Sequence, residues 1–451
     1  MSESEWTGGF RPSDYRVRRV LADLWSETRG DWRFVTERLA HAFREAKELH
    51  SAERRIVAEA LYGLVRRVRT IDHVLAAVGV EPPEPGRAVA PSRALLDWFV
   101  YRVGFENWPM DLAKAERPEI DWPKVLRTFA SIERIGEPVK RFALQQSVPD
   151  WLAARLIAEL GTEAEACMAA LNERAPMTLR ANRLKGTRAE LAEKLKVENV
   201  ETEPTRWSED GLVATTRVNA FGLKAFKAGL FEVQDEASQL VAALVLPPPH
   251  GLVIDACAGA GGKTLGLGAA MGGRGRLIAM DVDAKKLEEL GRRARRAGLS
   301  NHRWISVGNE DQPFPLEVAP LIGKADRVLV DAPCSGVGAL RRNPEARWRL
   351  GEDFITALPA RQLAIAKRAA TLVKPGGRLI YATCTIFRAE NEDVLAELVK
   401  AMPEFEPVSP KEILGRAHVE GLLSPSGDAL RTYPHRHGMD GFFGAVLRRR
   451  G

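Results

Sequence analysis

The first third of the chain carries apolar residues at the spacing of amphipathic helices. After Ser51, a residue type that often caps the start of a helix, apolar side chains recur every three or four positions. They are Val57, Leu61, Leu64, Val65 and Val68. Residues 31–50 and 92–104 have similar patterns, and the proline-rich run 81–86 predicts a loop. The pattern therefore predicts a helical domain over residues 1–140.

Between residues 141 and 235 the pattern changes to short stretches of mixed character. Residues 178–183 and 211–218 predict strands, and residues 187–195 predict a short helix between them. This mixture predicts a small α+β module.

From residue 236 onward, short apolar runs alternate with helical stretches. The runs are 252–254, 277–280, 303–307, 327–330 and 378–382. Helical spacing between them is clearest at 284–297 and 360–373. This alternation predicts an α/β domain over residues 236–451, a doubly wound parallel sheet with helices on both faces. In such a sheet, ligands bind beyond the carboxyl ends of the strands.

Composition narrows the class of protein. The chain has 451 residues, 45% hydrophobic and 28% charged, as in soluble globular proteins of more than one domain. Prolines and charges interrupt every apolar run, so we expect no membrane segment, and the first residues lack the apolar core of a signal peptide. The four cysteines form no CxxC pair, so neither a disulfide framework nor a metal site is indicated. We expect a cytoplasmic monomer without a metal or a membrane partner.

Basic residues hint at a nucleic-acid partner. The chain has 66 Lys+Arg against 60 Asp+Glu, a net charge of +6. Arginines cluster at 54–55, 66–69, 292–296 and 341–342. Such clusters can neutralise phosphates, although each can equally be a solvated helix face.

A glycine-rich loop and an acidic residue follow the first two predicted strands of the α/β domain. The loop reads DACAGAGGKT, from Asp255 to Thr264. Its glycines allow a tight turn, and the helix that follows can receive an anion at its N-terminus. The spacing differs from GxxxxGK[ST], so ATP binding is not indicated. Asp281 ends the second strand, where a carboxylate can accept both ribose hydroxyls, whereas Asp283 suits a helix N-cap. Together these features predict an adenosine-containing cofactor.

Two cysteines follow the fourth and fifth predicted strands. Cys334 lies in DAPCSG (residues 331–336) and Cys384 lies in ATCT (residues 382–385). Sites assemble in such loops, so both are candidates for chemistry. We expect Cys167 to be a small buried side chain, and Cys257 to be the same or to pack beneath the cofactor.

Five motifs resemble, in order, those of the Sun-type (RsmB-like) RNA cytosine-5 methyltransferases, which are class I enzymes dependent on S-adenosylmethionine. The motifs are QDEASQ (234–239), DACAGAGGKT (255–264), DAPCSGVGALRRNPEARW (331–348), ATCT with ENE (382–385 and 390–392), and DGFFGAVL (440–447). The resemblance implies a Rossmann-like methyltransferase domain. Residues 52–78 are similar, more loosely, to the NusB-like domain that precedes the enzyme in bacterial ribosomal members.

The resemblance implies catalytic roles for three residues. Cys384 matches the nucleophile, Cys334 the second cysteine that assists product release, and Asp331 a carboxylate near both the cofactor and the target base. The implied reaction moves a methyl group from S-adenosylmethionine to carbon 5 of a cytosine in RNA, and the NusB-like resemblance favours ribosomal RNA. A thiolate that adds to carbon 6 activates carbon 5, and a protonated Asp331 at N3 would stabilise the adduct. The base must leave its stack to reach the thiol.

The resemblance also implies a set of cofactor contacts. Asp281 matches the ribose ligand and Asp331 borders the cofactor as well as the base. The loop residues that match are Cys257, Ala258, Gly259, Ala260, Gly261, Gly262 and Lys263. After the third strand the family usually carries an aspartate, where this chain has Asn309, with Glu310 and Asp311 following. We expect Asn309 or one of these neighbours to meet the adenine.

Two other functions fit parts of the sequence. A DNA cytosine-5 methyltransferase would use Cys334 as its nucleophile and would not need Cys384. An inactive RNA-binding assembly factor can keep the fold, but losses at Cys334, Cys384 or Asp281 would then be expected, and all three are present. The run HRHG (435–438) lacks partners at metal-ligand spacing and predicts a loop.

Overall fold

The fold is described by a computed structural model that covers residues 15–451 except 85, 217 and 416–418. The signal-peptide expectation falls on residues 1–14, outside the described part. The chain forms two compact units. The helical unit runs up to Asn172 and includes Arg342–Glu352, and the sheet unit comprises Glu173–Arg341 and Asp353–Gly451. The division into domains at residues 140 and 235 stays a prediction.

The helical unit confirms the predicted character of the first third. Its α-helices among the described residues are Tyr15–Gly30, Val35–Glu45, Ser51–Ala77, Pro91–Phe105, Met110–Glu116, Trp122–Ser131, Pro138–Gln146, Asp150–Leu160, Ala164–Asn172 and the short Ala346–Arg349. The predicted apolar stripe is buried, because all five of its side chains are at most 2% exposed. Ser51 is the first helical residue and not the N-cap as predicted. His50 takes that position, and its backbone N–H donates to Glu53 Oε2 at 2.7 Å.

The segment 342–352 is held in the helical unit by two side chains. Arg347 is fully buried, and its Nη1 donates to Asn172 Oδ1 at 2.7 Å. Trp348 Nε1 donates to the Val65 carbonyl at 2.8 Å. Burial lowers the pKa of Arg347 to about 9. The RNPEARW part of the third motif is therefore an element of the helical unit.

The sheet unit begins with a small antiparallel sheet that contains both predicted strands, and the predicted extent of the α+β module over residues 141–235 stays a prediction. Its strands are β1 (Thr178–Ala181), β2 (Thr202–Pro204), β3 (Gly211–Ala214) and β4 (Phe231–Val233), in the order β2-β3-β1-β4. The helix Arg188–Val197 lies at the predicted place and opens with a capping box between Thr187 and Glu190.

A larger sheet forms the rest of the sheet unit. Its strands are β5 (Leu252–Asp255), β6 (Arg276–Asp281), β7 (His302–Ser306), β8 (Ala325–Asp331), β9 (Val373–Thr383), β10 (Phe405–Val408), β11 (Ala429–Arg431) and β12 (Phe443–Arg449). The strand order is β10-β12-β9-β8-β5-β6-β7, and β11 pairs with β12. The five predicted strands are β5 to β9, and they are parallel.

The prediction of a wholly parallel sheet is wrong at one edge. The last strand, β12, pairs antiparallel with β9, with Gly444 opposite Ala382, and β10 and β11 pair antiparallel with β12. After β9 the chain passes through the helix Glu392–Ala401 to β10, which runs in the same direction as β9, and β12 then enters between these two strands in the opposite direction. The sheet is therefore mixed.

Helices pack around this sheet, and the chain order reverses between β5 and β8. The longer helices are Glu236–Leu244, Gly262–Ala270, Ala284–Ala297, Glu352–Ala370 and Glu392–Ala401. The reversal places the loops after β5 and β8 on either side of a switch point, where α/β sheets bind ligands.

Residues 434–437 form a turn of helix and not the predicted loop, because Pro434 suits a first helical turn. No described helix is long and apolar enough to span a bilayer.

Candidate active site

The glycine loop after β5 turns sharply into the helix Gly262–Ala270. Gly259 and Gly261 have φ values of 51° and 86°, a region that favours glycine. A Cβ on Gly261 would lie 2.6 Å from Leu290 Cγ, so only glycine fits there. A Cβ on Gly259 would meet no atom of the described residues within 4 Å, so the space beside the loop is open.

Asp281 at the end of β6 holds this loop. Its Oδ2 accepts a hydrogen bond from the Gly259 N–H at 2.7 Å, and its Oδ1 accepts one from the Asp283 N–H at 2.9 Å. Asp283 caps the helix Ala284–Ala297 by accepting from two backbone N–H groups, as the sequence predicts. Both acidic residues therefore bind backbone N–H groups at the carboxyl end of β6, and Asp281 contacts the predicted cofactor loop.

Asp255, which was not among the predicted site residues, is a buried carboxyl group at the end of β5. It is 1% exposed, and its Oδ2 accepts a hydrogen bond from Thr264 Oγ1 at 2.7 Å. Burial raises its pKa to about 7, helped by the charge of Asp331 and opposed by the Thr264 hydrogen bond. Its Oδ1 finds no hydrogen-bond partner among the described residues. The sequence did offer a signal for this residue, because Asp255 stands at the end of a predicted strand, directly before the glycine-rich loop.

Lys263 and Asp331 form an ion pair between the loops after β5 and β8. The Lys263 Nζ lies 2.5 Å from Asp331 Oδ2, and the lysine side chain is 9% exposed. Burial lowers the pKa of Lys263, but attraction and hydrogen bonding to Asp331, with the nearby Cys384, raise it by more. The lysine is therefore charged beside Asp331.

The two candidate cysteines meet beyond the ends of β8 and β9. Their sulfur atoms lie 3.2 Å apart, and the Cys384 N–H donates to Cys334 Sγ at 3.3 Å. The strands bring them together because Asp331 pairs with Ala382 in parallel register. The hydrogen bond with Cys384, and then burial, raise the pKa of Cys334 well above its ordinary range. Cys334 thus keeps its proton and can donate it to the Cys384 sulfur.

The other two cysteines are also free thiols. Cys167 is fully buried in the helix Ala164–Asn172, as predicted. Cys257 is half-buried and packs against the core of the large sheet. Burial, followed by the charges of nearby aspartates, raises its pKa well above the ordinary range. Neither environment favours a reactive thiolate.

Asn309 lies on an exposed loop after β7. Its carbonyl accepts a hydrogen bond from Arg368 Nη1 at 2.8 Å. Its neighbour Glu310 pairs with Arg361 at 2.9 Å. The contact of Asn309 with adenine stays a prediction.

Comparisons with known proteins match this architecture. Residues 242–448 match the family model of the 16S rRNA methyltransferase RsmB/F, and residues 148–220 match that of the RsmF/B-like ferredoxin-like domain. The chain is 33% identical over 421 residues to a Synechocystis protein named "Probable ribosomal RNA small subunit methyltransferase B", covering 89% of this chain and 92% of the relative. The chain belongs to the RsmB/F methyltransferase family.

Further relatives of the RsmB/F family agree over most of the chain. A Bacillus subtilis protein with the same name is 30% identical over 427 residues, covering 90% of this chain and 93% of the relative. The crystal structure of PH0851 superposes with a TM-score of 0.76 at 26% identity, covering 96% of this chain and 98% of that one. The predicted family and the dependence on S-adenosylmethionine are confirmed. Among the described residues, no group of three His, Cys, Asp or Glu side chains is arranged to hold a metal.

One buried arginine joins three of the motifs that mark the RsmB/F family. Arg341 Nε donates to Asp440 Oδ1 at 2.5 Å, and its Nη2 lies 3.4 Å from Asp235 Oδ2. Asp235 also accepts the Asp440 N–H at 3.1 Å. The prediction that Arg341 belongs to a phosphate-binding cluster or a solvated face is therefore wrong, because its side chain is 6% exposed and paired inside the sheet unit.

Part of the 292–296 arginine cluster is also paired internally. Arg293 and Arg296 both form ion pairs with Glu232 of β4, and the Arg293–Glu232 distance is 2.9 Å. Arg292 and Arg295 are exposed, and Arg292 pairs with Glu289 on the surface of the same helix at 2.6 Å. The sequence of the run alone does not show which arginines are paired internally and which are exposed. Neighbouring residues of a helix point to different faces, and only the packing of the helix shows which face is covered.

Proposed function

We propose that this protein transfers a methyl group from S-adenosylmethionine to carbon 5 of a cytosine in ribosomal RNA, through a covalent bond between Cys384 and carbon 6. The observation that carries the proposal is the pair of free thiols, Cys334 and Cys384, with sulfurs 3.2 Å apart beside the cofactor loop. Transfer to an oxygen or to an exocyclic nitrogen needs no such pair. Addition to a pyrimidine ring followed by elimination does use a nucleophilic thiol.

The residues around the glycine loop fit S-adenosylmethionine. The space beside Gly259 is open, and the N-terminus of Gly262–Ala270 suits the methionine carboxylate. Asp281 is the proposed ribose ligand, and Asn309 or a neighbour is the proposed contact of the adenine. When bound, S-adenosylmethionine supplies the electrophilic methyl group.

Cys384 is the proposed nucleophile. Its sulfur lies 3.2 Å from the Cys334 sulfur, and its loop neighbours the Lys263–Asp331 ion pair. The thiolate is the reactive form of cysteine. The thiolate adds to carbon 6, and the electrons displaced from the ring make carbon 5 nucleophilic.

Cys334 is the proposed assistant in product release. After methylation, the proton on carbon 5 leaves to a base, the bond between Cys384 and carbon 6 breaks, and its electron pair returns to sulfur. A Cys334 S–H within hydrogen-bond distance stabilises that departing thiolate. The same group therefore serves the start and the end of the cycle.

Asp331 and Lys263 are proposed to act as one unit. Because Lys263 is charged, its ammonium group beside Asp331, and not a protonated Asp331 alone, would supply the hydrogen bond that stabilises charge at N3 of the adduct. This modifies the role that the resemblance implies for Asp331.

The remaining parts are proposed to serve RNA. We propose three domains: a NusB-like RNA-binding domain over 1–140, an α+β RNA-binding module over 141–235 and the methyltransferase domain over 236–451. We propose that the protein works as a monomer in the cytoplasm. A DNA methyltransferase would use Cys334 as its nucleophile, whereas this proposal uses Cys384. An inactive assembly factor would be expected to lose one of the two thiols, and this chain keeps both.

Bisulfite sequencing of ribosomal RNA tests the proposal. RNA from a deletion strain should lose a 5-methylcytosine that returns with the wild-type protein and not with Cys384→Ala. Transfer to carbon 5 would be refuted if the deletion left every 5-methylcytosine in place and removed a different methylated base from the same RNA.

A further inference from the structure

A buried carboxylate outside the candidate site links the two cysteine loops. Glu390, in the ENE motif, is fully buried. Its Oε2 accepts hydrogen bonds from the Ser335 backbone N–H and from Gln362 Nε2, each at 2.9 Å. Its Oε1 accepts one from Thr385 Oγ1 at 3.1 Å.

Two of these donors are the immediate neighbours of the cysteines. Ser335 follows Cys334 and Thr385 follows Cys384, so one carboxylate binds the loop after β8 with one oxygen and the loop after β9 with the other. The Ser335 and Thr385 hydroxyl oxygens also lie 2.7 Å apart. The two loops are thus joined directly behind the pair of sulfur atoms.

The chain around Glu390 is held in place by β9 and by the loop that carries Cys384. The Tyr381 hydroxyl donates to the Glu390 carbonyl at 2.6 Å. The next residue, Asn391, donates from Nδ2 to the Thr385 carbonyl at 3.1 Å, and its Oδ1 accepts from Thr383 Oγ1 at 2.5 Å. Glu390 therefore projects from a turn that is anchored on both sides of Cys384.

We infer that Glu390 is a positioning residue that sets the distance between the Cys334 and Cys384 sulfurs. The inference rests on the proposed function, because that function needs the two thiols at a fixed separation. Its three donors are neutral, and a buried carboxylate costs solvation energy that these hydrogen bonds only partly offset. An apolar side chain would fill the place more cheaply, but it would leave both loops without their common acceptor.

Glutamine at position 390 is the sharpest variant, because it has nearly the same size. Its amide offers one acceptor oxygen in place of two, so its NH2 group faces either the Ser335 N–H, which cannot accept, or the Thr385 hydroxyl, which must reverse its hydrogen bond to accept. We therefore expect E390Q to keep the fold and to loosen one of the two loops.

Glu236 provides the matched control. It is 7% exposed, and its Oε1 accepts hydrogen bonds from the Trp207 and Ser208 backbone N–H groups at 2.6 and 2.8 Å. E236Q changes a buried glutamate of the same unit that binds neither cysteine loop. Thr385→Val removes one hydrogen-bond donor to Glu390 and leaves the carboxylate in place. It provides a second test of the inference if E390Q folds poorly.

The first measurement is thiol exchange with oxidised glutathione, followed by digestion and mass spectrometry. One cysteine attacks the glutathione disulfide and releases one glutathione, and the second cysteine then displaces the other to form a Cys334–Cys384 disulfide. We expect the wild type and E236Q to form this disulfide quickly. E390Q and Thr385→Val should retain mixed glutathione disulfides, with intramolecular closure at least about tenfold slower, because closure depends on the sulfur separation.

The second measurement is steady-state methyl transfer. E390Q should lower kcat by about 10- to 100-fold with little change in the KM for RNA or cofactor, since a displacement of about 1 Å costs up to about 100-fold. Thiol closure and kcat both at wild-type values in E390Q and Thr385→Val would overturn the inference. A wild-type enzyme that makes no 5-methylcytosine, with thiol closure that still responds to E390Q, would instead defeat the proposed function and leave the positioning role standing.

Discussion

The sulfur atoms of Cys334 and Cys384 lie 3.2 Å apart, and the Cys384 backbone N–H points at the Cys334 sulfur. The hydrogen bond with the Cys384 thiol, and then burial, raise the pKa of Cys334 above its ordinary range. The proposed function gives the two thiols separate steps, which can be tested one at a time.

Substitution of each cysteine should separate the two steps. Cys384→Ala should abolish methyl transfer and leave no covalent protein–RNA species. Cys334→Ala should still form the thioether bond but fail to resolve it, because elimination needs stabilisation of the departing thiolate. The trapped complex should appear as a shifted band on a denaturing gel. A trapped complex with Cys384→Ala but not with Cys334→Ala would reverse the assignment, as in a DNA-type enzyme.

Asp281→Ala should weaken the binding of S-adenosylmethionine and of its demethylated product. Two hydrogen bonds to a charged group, worth roughly 1.5–3 kcal/mol each, would be lost, which corresponds to about a 100-fold or greater rise in Kd. Titration calorimetry measures it. Asp283→Ala is the control, because it removes a helix cap worth about 1 kcal/mol and should leave both affinities unchanged. Equal affinities in all three proteins would remove Asp281 from the cofactor site.

Asp255 should make the stability of the sheet unit depend on pH. Its pKa is about 7 in the folded protein against 3.8 for an ordinary aspartate, so between these values the folded state holds a proton that the unfolded state lacks. The stabilisation is complete below pH 3.8 and is lost as the pH rises through about 7. Asp255→Asn does not titrate and should gain about 2–3 kcal/mol relative to the wild type between pH 5 and 8. Urea unfolding curves that shift in parallel with pH would contradict this.

Arg341→Met should strongly destabilise the sheet unit. The arginine pairs with Asp235 and Asp440, both at most 7% exposed, and its loss leaves these buried carboxylates without their shared partner. Loss of one member of a buried ion pair costs about 3–5 kcal/mol. The midpoint of urea unfolding should fall accordingly, whereas Arg349→Met, at an exposed position, should change it little. Similar midpoints for the two variants would show that the buried network adds little stability.

The alternation of elements and the placement of motifs were determined by the sequence alone. The apolar stripe of Ser51–Ala77, the five parallel strands and the loops that carry Cys334 and Cys384 follow from local periodicity and from the rule that sites lie at strand ends. The motifs in order identified the family. These features are local, so a short window of residues contains them.

Only the tertiary structure decided which of the polar residues face inward. Arg341 lies next to another arginine in the sequence, and its burial depends on a contact with Asp440, 99 residues later in the chain. Glu390 is one of two glutamates in the ENE motif, and the sequence does not show that it binds Ser335. That contact depends on the pairing of β8 with β9, because Ser335 follows β8 and Glu390 follows β9. The antiparallel entry of β12 beside β9 likewise has no local pattern. Such pairings join residues far apart along the chain, and their geometry exists only once the strands have packed side by side.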